Sequence, residues 1–165
     1  MNPSLFHLFQ LIEATRVATA VRNSGWLFPS IETVHVLAIV LVVGTIAIVD
    51  LRILGLTSPQ RSIGAVAREM LPFTWSSFAI AVITGSLLFM SSATSYAVNW
   101  PFRLKILLLL LAGGNMLLFH WQARGALLEA VDPAQTPRSW RVAGAISLLF
   151  WVGIVTAGRW IGFEL

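Results

Sequence analysis

The chain has no cysteine and few charged residues, and both shortages exclude classes of protein. Without cysteine, no disulfide, thiolate metal site, iron–sulfur cluster or thiol redox cycle can form within it. Only 11% of its 165 residues are charged, whereas a soluble domain carries about 25%. Any metal would therefore need histidine, methionine or carboxylate ligands, and a soluble globular fold is not expected.

Familiar catalytic motifs are missing as well. The sequence contains no glycine-rich phosphate loop, no GxSxG, no HExxH and no acidic pair within an apolar run. The net charge of +4 comes from arginines and a single lysine, Lys105. These cations lie at the ends of apolar runs and in short loops, which favours contact with lipid headgroups and no binding of nucleic acid.

Four long apolar runs fill most of the chain. They predict membrane spans over about residues 31–52, 73–92, 102–121 and 142–161, since a helix needs about 20 residues to cross the hydrocarbon. The predicted fold is all-α: one domain forming an integral membrane four-helix antiparallel bundle. Tryptophan prefers the membrane interface, and six tryptophans flank the runs: Trp26, Trp75, Trp100, Trp121, Trp140 and Trp160.

Residues 2–22 predict a further, N-terminal helix that does not span the membrane. Leu5, Phe9 and Ile12 share one face, whereas Glu13 and Arg16 interrupt the apolar pattern. We expect an amphipathic helix lying in the interface.

The positions of the cations predict the orientation of the bundle. The first and third loops together hold six arginines, against five cations on the other side. By the positive-inside rule those loops are cytoplasmic. We therefore expect a multi-pass protein of the bacterial inner membrane with both termini in the periplasm.

His35 is the clearest candidate for chemistry, because titratable side chains inside a span are expensive and are functional candidates by default. It lies about one turn into the first span and is followed by fourteen residues without a charge. Glu32 lies on the same helical face. Its carboxylate could hydrogen-bond one ring nitrogen and leave the other free to bind a metal.

Other polar residues are expected at the same depth as His35. A histidine ligand among apolar walls, with cations for the propionates, is what a heme b site requires. Met90 is a possible second axial ligand. The remaining members of this predicted layer are Arg103, Lys105 and Arg159. In the plainer interpretation His35 bonds a neighbouring helix, the cations extend to headgroups, and Met90 only packs.

His120 lies at the far end of the third span, about 20 Å from His35 along the membrane normal. One heme cannot bridge the two histidines if the spans are straight. His120 could instead belong to a second metal site with Asn115, Asp50 and Arg52. Alternatively, it only interacts with the dipole at the C-terminus of its helix and with the membrane interface. His7 could cover the predicted layer or lie on the surface.

Several segments resemble known membrane families. Three of them are similar to a family of small uncharacterised bacterial four-helix membrane proteins. They are TVHVLAIVLVVGTIAIVDLRILGL at residues 33–56, LPFTW at 71–75 and WPFRLKILLLLL at 100–111. His35 and Lys105 more distantly resemble HemJ-type protoporphyrinogen oxidases and the membrane domain of CopD-type copper proteins. The HemJ-type resemblance implies a heme ligand role for His35 and a functional partner role for Lys105.

Three functions follow as hypotheses. The first is a membrane heme b protein with an electron-transfer or oxidoreductase role. The second is a cofactor-free accessory or assembly subunit, acting as a homo-oligomer or within a larger membrane complex. The third is a copper-handling protein, for which three histidines and four methionines are a small supply of ligands.

Overall fold

The computed structural model describes residues 3–122 and 136–164, and those residues form an all-helical structure. Two short helices precede the bundle: α1 (Pro3–Glu13) and α2 (Arg16–Asn23). The four long helices are α3 (Leu27–Ile53), α4 (Ile63–Ser91), α6 (Trp100–Gln122) and α7 (Arg138–Trp160). A short helix, α5 (Ala93–Val98), connects α4 to α6, and a 3₁₀ turn (Ile161–Phe163) follows α7.

Each long helix is long and apolar enough to cross a membrane. Their outward faces carry exposed leucine, isoleucine and valine side chains, which only hydrocarbon can cover favourably. The predicted four-helix membrane bundle is therefore confirmed. The third loop, including the arginine at position 124 used to predict orientation, lies largely outside the described residues.

Two helix boundaries differ from expectation. The single helix predicted over residues 2–22 is two helices, because the Thr15 side chain accepts a hydrogen bond from Ala18 N–H and caps a new helix. α4 begins at Ile63, where Ser62 caps it, and Pro72 lies inside the helix instead of opening it. Proline is tolerated inside membrane helices because neighbouring groups satisfy the freed backbone.

The closest packing in the bundle joins α3 to α4 through small and polar residues. Ala38 and Val42 of α3 and Ser77 of α4 are buried. The hydroxyls of Thr45 and Thr74 lie 2.8 Å apart across the interface. Small residues let helices approach closely in lipid, where van der Waals packing and interhelical hydrogen bonds replace the hydrophobic effect.

α7 links the two halves of the bundle by packing on both α3 and α6. A Cβ at Gly144 would lie 3.4 Å from the Asp50 carbonyl oxygen, so α7 approaches the end of α3 closely. Nearby, Trp140 packs with Ile53 and Ile63 in a buried apolar cluster. Trp140 is thus covered by α3 and α4, whereas the other five flanking tryptophans are exposed.

The short helices pack over one end of the bundle, where α3 and α6 begin and α4 and α7 end. We call this the N-terminal side. The Glu13 carboxylate accepts hydrogen bonds from both the N–H and the hydroxyl of Thr94, each at 2.7 Å. Arg22 donates to the Ser91 carbonyl at 3.0 Å. These polar contacts attach α1 and α2 to α5 and α4.

Candidate functional site

The His35 side chain is fixed against α4 by Thr84. Nδ1 of the ring lies 3.0 Å from the Thr84 hydroxyl. That hydroxyl has one proton, which it donates to the Ile80 carbonyl at 2.7 Å, so it offers His35 a lone pair. We therefore assign the proton of the neutral ring to Nδ1. Nε2 then carries a lone pair available to a metal or a proton donor.

Gly85 makes the approach of this ring possible. A Cβ at position 85 would lie 2.8 Å from Cε1 of His35, closer than side chains tolerate. The imidazole thus rests directly on the α4 backbone, with the Ala81 carbonyl beside it as a further acceptor. The Thr84 hydroxyl and the Ala81 carbonyl, both acceptors, favour a protonated ring nitrogen on the side that faces α4.

Lys105 of α6 is the charged group that joins His35. Its ammonium is close enough to the ring to act on it electrostatically. The Lys105 side chain packs over Gly158 of α7, where a Cβ would lie 3.6 Å from Nζ. Among the residues that the structure describes, no carboxylate lies within ion-pair distance of this ammonium. An imidazole and an ammonium from facing helices therefore form the polar centre of the N-terminal half.

The hydrogen bond expected between Glu32 and His35 is not formed, and Thr84 is the partner of Nδ1 instead. The Glu32 side chain is exposed and acts on Tyr96 of α5 instead. The pKa of Tyr96 is raised above its ordinary value, first because burial disfavours the phenolate and second because the Glu32 carboxylate repels it. Glu32 therefore belongs to the electrostatics of the α3–α5 contact.

Met90 is half-buried on α4, six residues beyond Thr84. Six residues correspond to about 9 Å along a helix and about 240° around it. The thioether therefore lies on a different face of α4 from the one that holds the His35 ring.

The two remaining cations of the predicted layer also lie elsewhere. Arg103 precedes Lys105 by two residues, about 200° around the helix. Its exposed side chain lines a groove with Phe9, Phe89 and Phe102. Arg159 is exposed and lies over the Phe163 ring, 5.3 Å from the centroid. The structure thus brings together His35 and Lys105, and leaves Arg103, Arg159, Met90 and Glu32 apart from them.

The other histidines are exposed. His120 contacts the Met116 carbonyl of its own helix through Nδ1 at 3.2 Å, and His7 lies on the exposed face of α1. Asn115 donates to the Ala143 carbonyl at 3.0 Å and so joins α6 to α7. Within residues 3–122 and 136–164, no three His, Cys, Asp or Glu residues cluster as a metal site would require. The predicted second metal site has no such cluster around His120.

Two buried charged residues, Asp50 and Arg52, lie at the other end of α3. Asp50 is 6% exposed and is hydrogen-bonded by Ser147 of α7, while its Oδ2 has no partner among the described residues. Arg52 is fully buried and its Nε donates to the Arg61 carbonyl at 2.6 Å. Sequence reasoning did not find this burial, because side chains on every face of a helix end can reach headgroups and only the packing of α7 and the following loop covers these two.

Comparison with known proteins identifies a family and no function. No curated protein and no solved structure matches the chain, and nothing in these comparisons supports the HemJ-type or CopD-type resemblance. One family model matches residues 9–164, which include part of α1, all of α2 and all four long helices. The chain therefore belongs to DUF6644, a family of unknown function.

Proposed function

We propose that this protein binds a heme b in the N-terminal half of the bundle, where His35 Nε2 would bind the iron. The observation that carries the proposal is the contact of Nδ1 with Thr84, which fixes the ring and leaves the lone pair on Nε2. Ligating histidines commonly donate their other nitrogen to a fixed acceptor in this way, and the acceptor sets the tautomer.

Lys105 supports the proposal as the charge partner of the site. An ammonium inside a membrane without a carboxylate is costly and marks a functional site by default. A heme carries two propionate carboxylates, and Lys105 supplies the positive charge for one of them. The donor set therefore fits the group chemically: one neutral imidazole and one ammonium among apolar walls.

The surroundings of the pair support the same position. The His35 ring rests on the α4 backbone at Gly85, and the Lys105 side chain packs over Gly158 of α7. Heme b supplies one-electron redox chemistry at its iron. The chain's own residues would position the ligand, hold the propionate charge and exclude water.

The test is an absorption spectrum of protein purified in mild detergent after expression with a heme precursor, first oxidised and then reduced with dithionite. We expect a Soret band and sharp reduced α and β bands. His35→Ala should remove the heme, while His120→Ala and His7→Ala should retain it, because those side chains are exposed and lie on helices other than α3.

Two results would overturn the proposal. One is a His35→Ala protein that folds and keeps its full complement of heme. The other is a wild-type protein without visible absorption despite an adequate heme supply. The second result would favour a cofactor-free accessory subunit, for which co-purification of partner proteins is the next measurement. A copper-handling role would need ligands beyond a His, Cys, Asp or Glu cluster, since the described residues hold no group of three such side chains.

A further inference from the structure

A groove with a volume of about 590 Å³ lies on the N-terminal side of the protein. Leu5 and Phe9 of α1 form one wall, Ala97 of α5 contributes to the lining, and Phe102 of α6 lies opposite. Among the described residues that line it, Arg103 is the only charged one. The groove is therefore apolar along its length and positively charged at one place.

The walls of the groove are held by specific contacts. The Phe9 and Phe89 rings meet edge to face at 6.0 Å, and Phe89 stacks on Phe102 at 5.4 Å. The hydrogen bonds from Thr94 to Glu13 attach the end of α1 to α5. α1 is therefore held in place as one side wall of the groove.

Arg103 lies near the N-terminal end of α6, and the neighbouring tryptophan indicates the depth of the lipid headgroups. It is one turn into α6 from the exposed Trp100, and indole rings mark the interface. No carboxylate among the described residues forms an ion pair with it. Lys105 lies on another face of α6, so the two cations serve different sites.

We propose that this groove binds one anionic phospholipid from the leaflet on the N-terminal side. Its phosphate contacts the Arg103 guanidinium, which can offer two parallel N–H donors. One acyl chain lies along Phe9 and Phe102 toward the membrane interior. Charge complementarity selects the occupant, because the single cation in an apolar groove matches a single anionic head on an apolar chain.

The experiment titrates delipidated, detergent-purified protein with phosphatidylglycerol or phosphatidylcholine and counts bound lipid by native mass spectrometry. We expect one phosphatidylglycerol to bind more tightly than phosphatidylcholine. Arg103→Gln should weaken phosphatidylglycerol binding about fivefold, as expected for one arginine near an anionic headgroup. Arg159→Gln is the matched control, because Arg159 is equally exposed on the same side and lies over Phe163 outside the groove.

A second variant tests the apolar part of the site. Ala97→Phe fills the groove and should abolish tight binding although Arg103 remains. The proposal is wrong if Arg103→Gln binds phosphatidylglycerol like wild type, if Arg159→Gln loses as much affinity, or if the two lipids bind equally. If Ala97→Phe fails to fold, the comparison of Arg103→Gln with Arg159→Gln still tests whether the groove binds the lipid. None of these outcomes depends on whether the protein contains heme.

Discussion

Nδ1 of His35 lies 3.0 Å from the Thr84 hydroxyl, which itself donates to the Ile80 carbonyl. A threonine that bonds its own helix in this way has only a lone pair left for a neighbour. One side chain of α4 therefore sets the tautomer and direction of His35, the one histidine of the described structure that is not exposed. This hydrogen bond is the reason why we treat His35 as a candidate metal ligand.

Thr84→Val should weaken heme retention at least tenfold, because loss of a ligand's hydrogen-bond partner typically costs 10- to 100-fold in affinity. Valine keeps the shape of threonine, so the helix contact should survive with a loss of about 0.6 kcal/mol. The measurement is the heme-to-protein ratio during dilution into apomyoglobin. Thr45→Val removes a hydroxyl from the same helix interface and is the control. Equal heme loss in both variants would contradict the role of Thr84.

Gly85→Ala should destabilise the contact between α3 and α4. The added methyl would lie 2.8 Å from Cε1 of His35, so the ring or a helix must move. Such overpacking costs about 1–3 kcal/mol. Thermal unfolding in detergent measures the effect, with Gly113→Ala as control, since no atom lies within 4 Å of a Cβ there. A Gly85→Ala protein as stable as the Gly113→Ala protein would contradict the close approach.

Arg52→Met should cost about 1.5–3 kcal/mol of stability, the usual value of a hydrogen bond from a charged group. Arg52 is fully buried and bonds the Arg61 carbonyl, which connects the end of α3 to the following loop. Arg61→Met breaks only an exposed ion pair with Glu69 and should cost less than about 1 kcal/mol. Chemical denaturation measures the free energy of unfolding of both variants. A larger loss for Arg61→Met than for Arg52→Met would contradict the prediction.

Glu32→Gln should lower the pKa of Tyr96 toward its ordinary value. The negative charge of Glu32 opposes ionisation of the phenol, so its removal makes the phenolate easier to form, although burial still raises the pKa. Tyr96 is the single tyrosine of the chain, so ultraviolet difference absorption against pH reports it alone. Glu69→Gln, at the other end of α4, should leave the titration unchanged.

The same shift predicts how stability depends on pH. An unfolded tyrosine ionises at about pH 10, whereas Tyr96 in the folded protein keeps its proton to higher pH. The unfolded state therefore binds fewer protons above that pH, and stability falls as the pH rises. Unfolding at pH 9 and pH 11 should show a smaller loss for Glu32→Gln than for wild type. An equal loss in the two proteins would contradict the contribution of Glu32.

The sequence alone determined the class of protein and the number of spans. Runs of about 20 apolar residues admit no other stable arrangement than membrane helices, because the backbone must satisfy its hydrogen bonds without water. It also pointed to His35 and Lys105, since charged or titratable groups in such runs are rare and expensive. These conclusions depend only on composition and on spacing along one helix, and both can be read directly from the sequence.

The tertiary structure decided which polar residues meet. Arg103 and Lys105 are two residues apart in sequence, yet one faces a lipid-accessible groove and the other approaches His35. Thr84 is 49 residues from His35, and no periodicity within either helix could pair them. The buried places of Trp140 and Asp50 likewise depend on how α7 crosses α3. The rotation of each helix and the choice of its neighbours are set by packing between segments. The pattern within one segment does not contain that information, so the sequence leaves both undetermined.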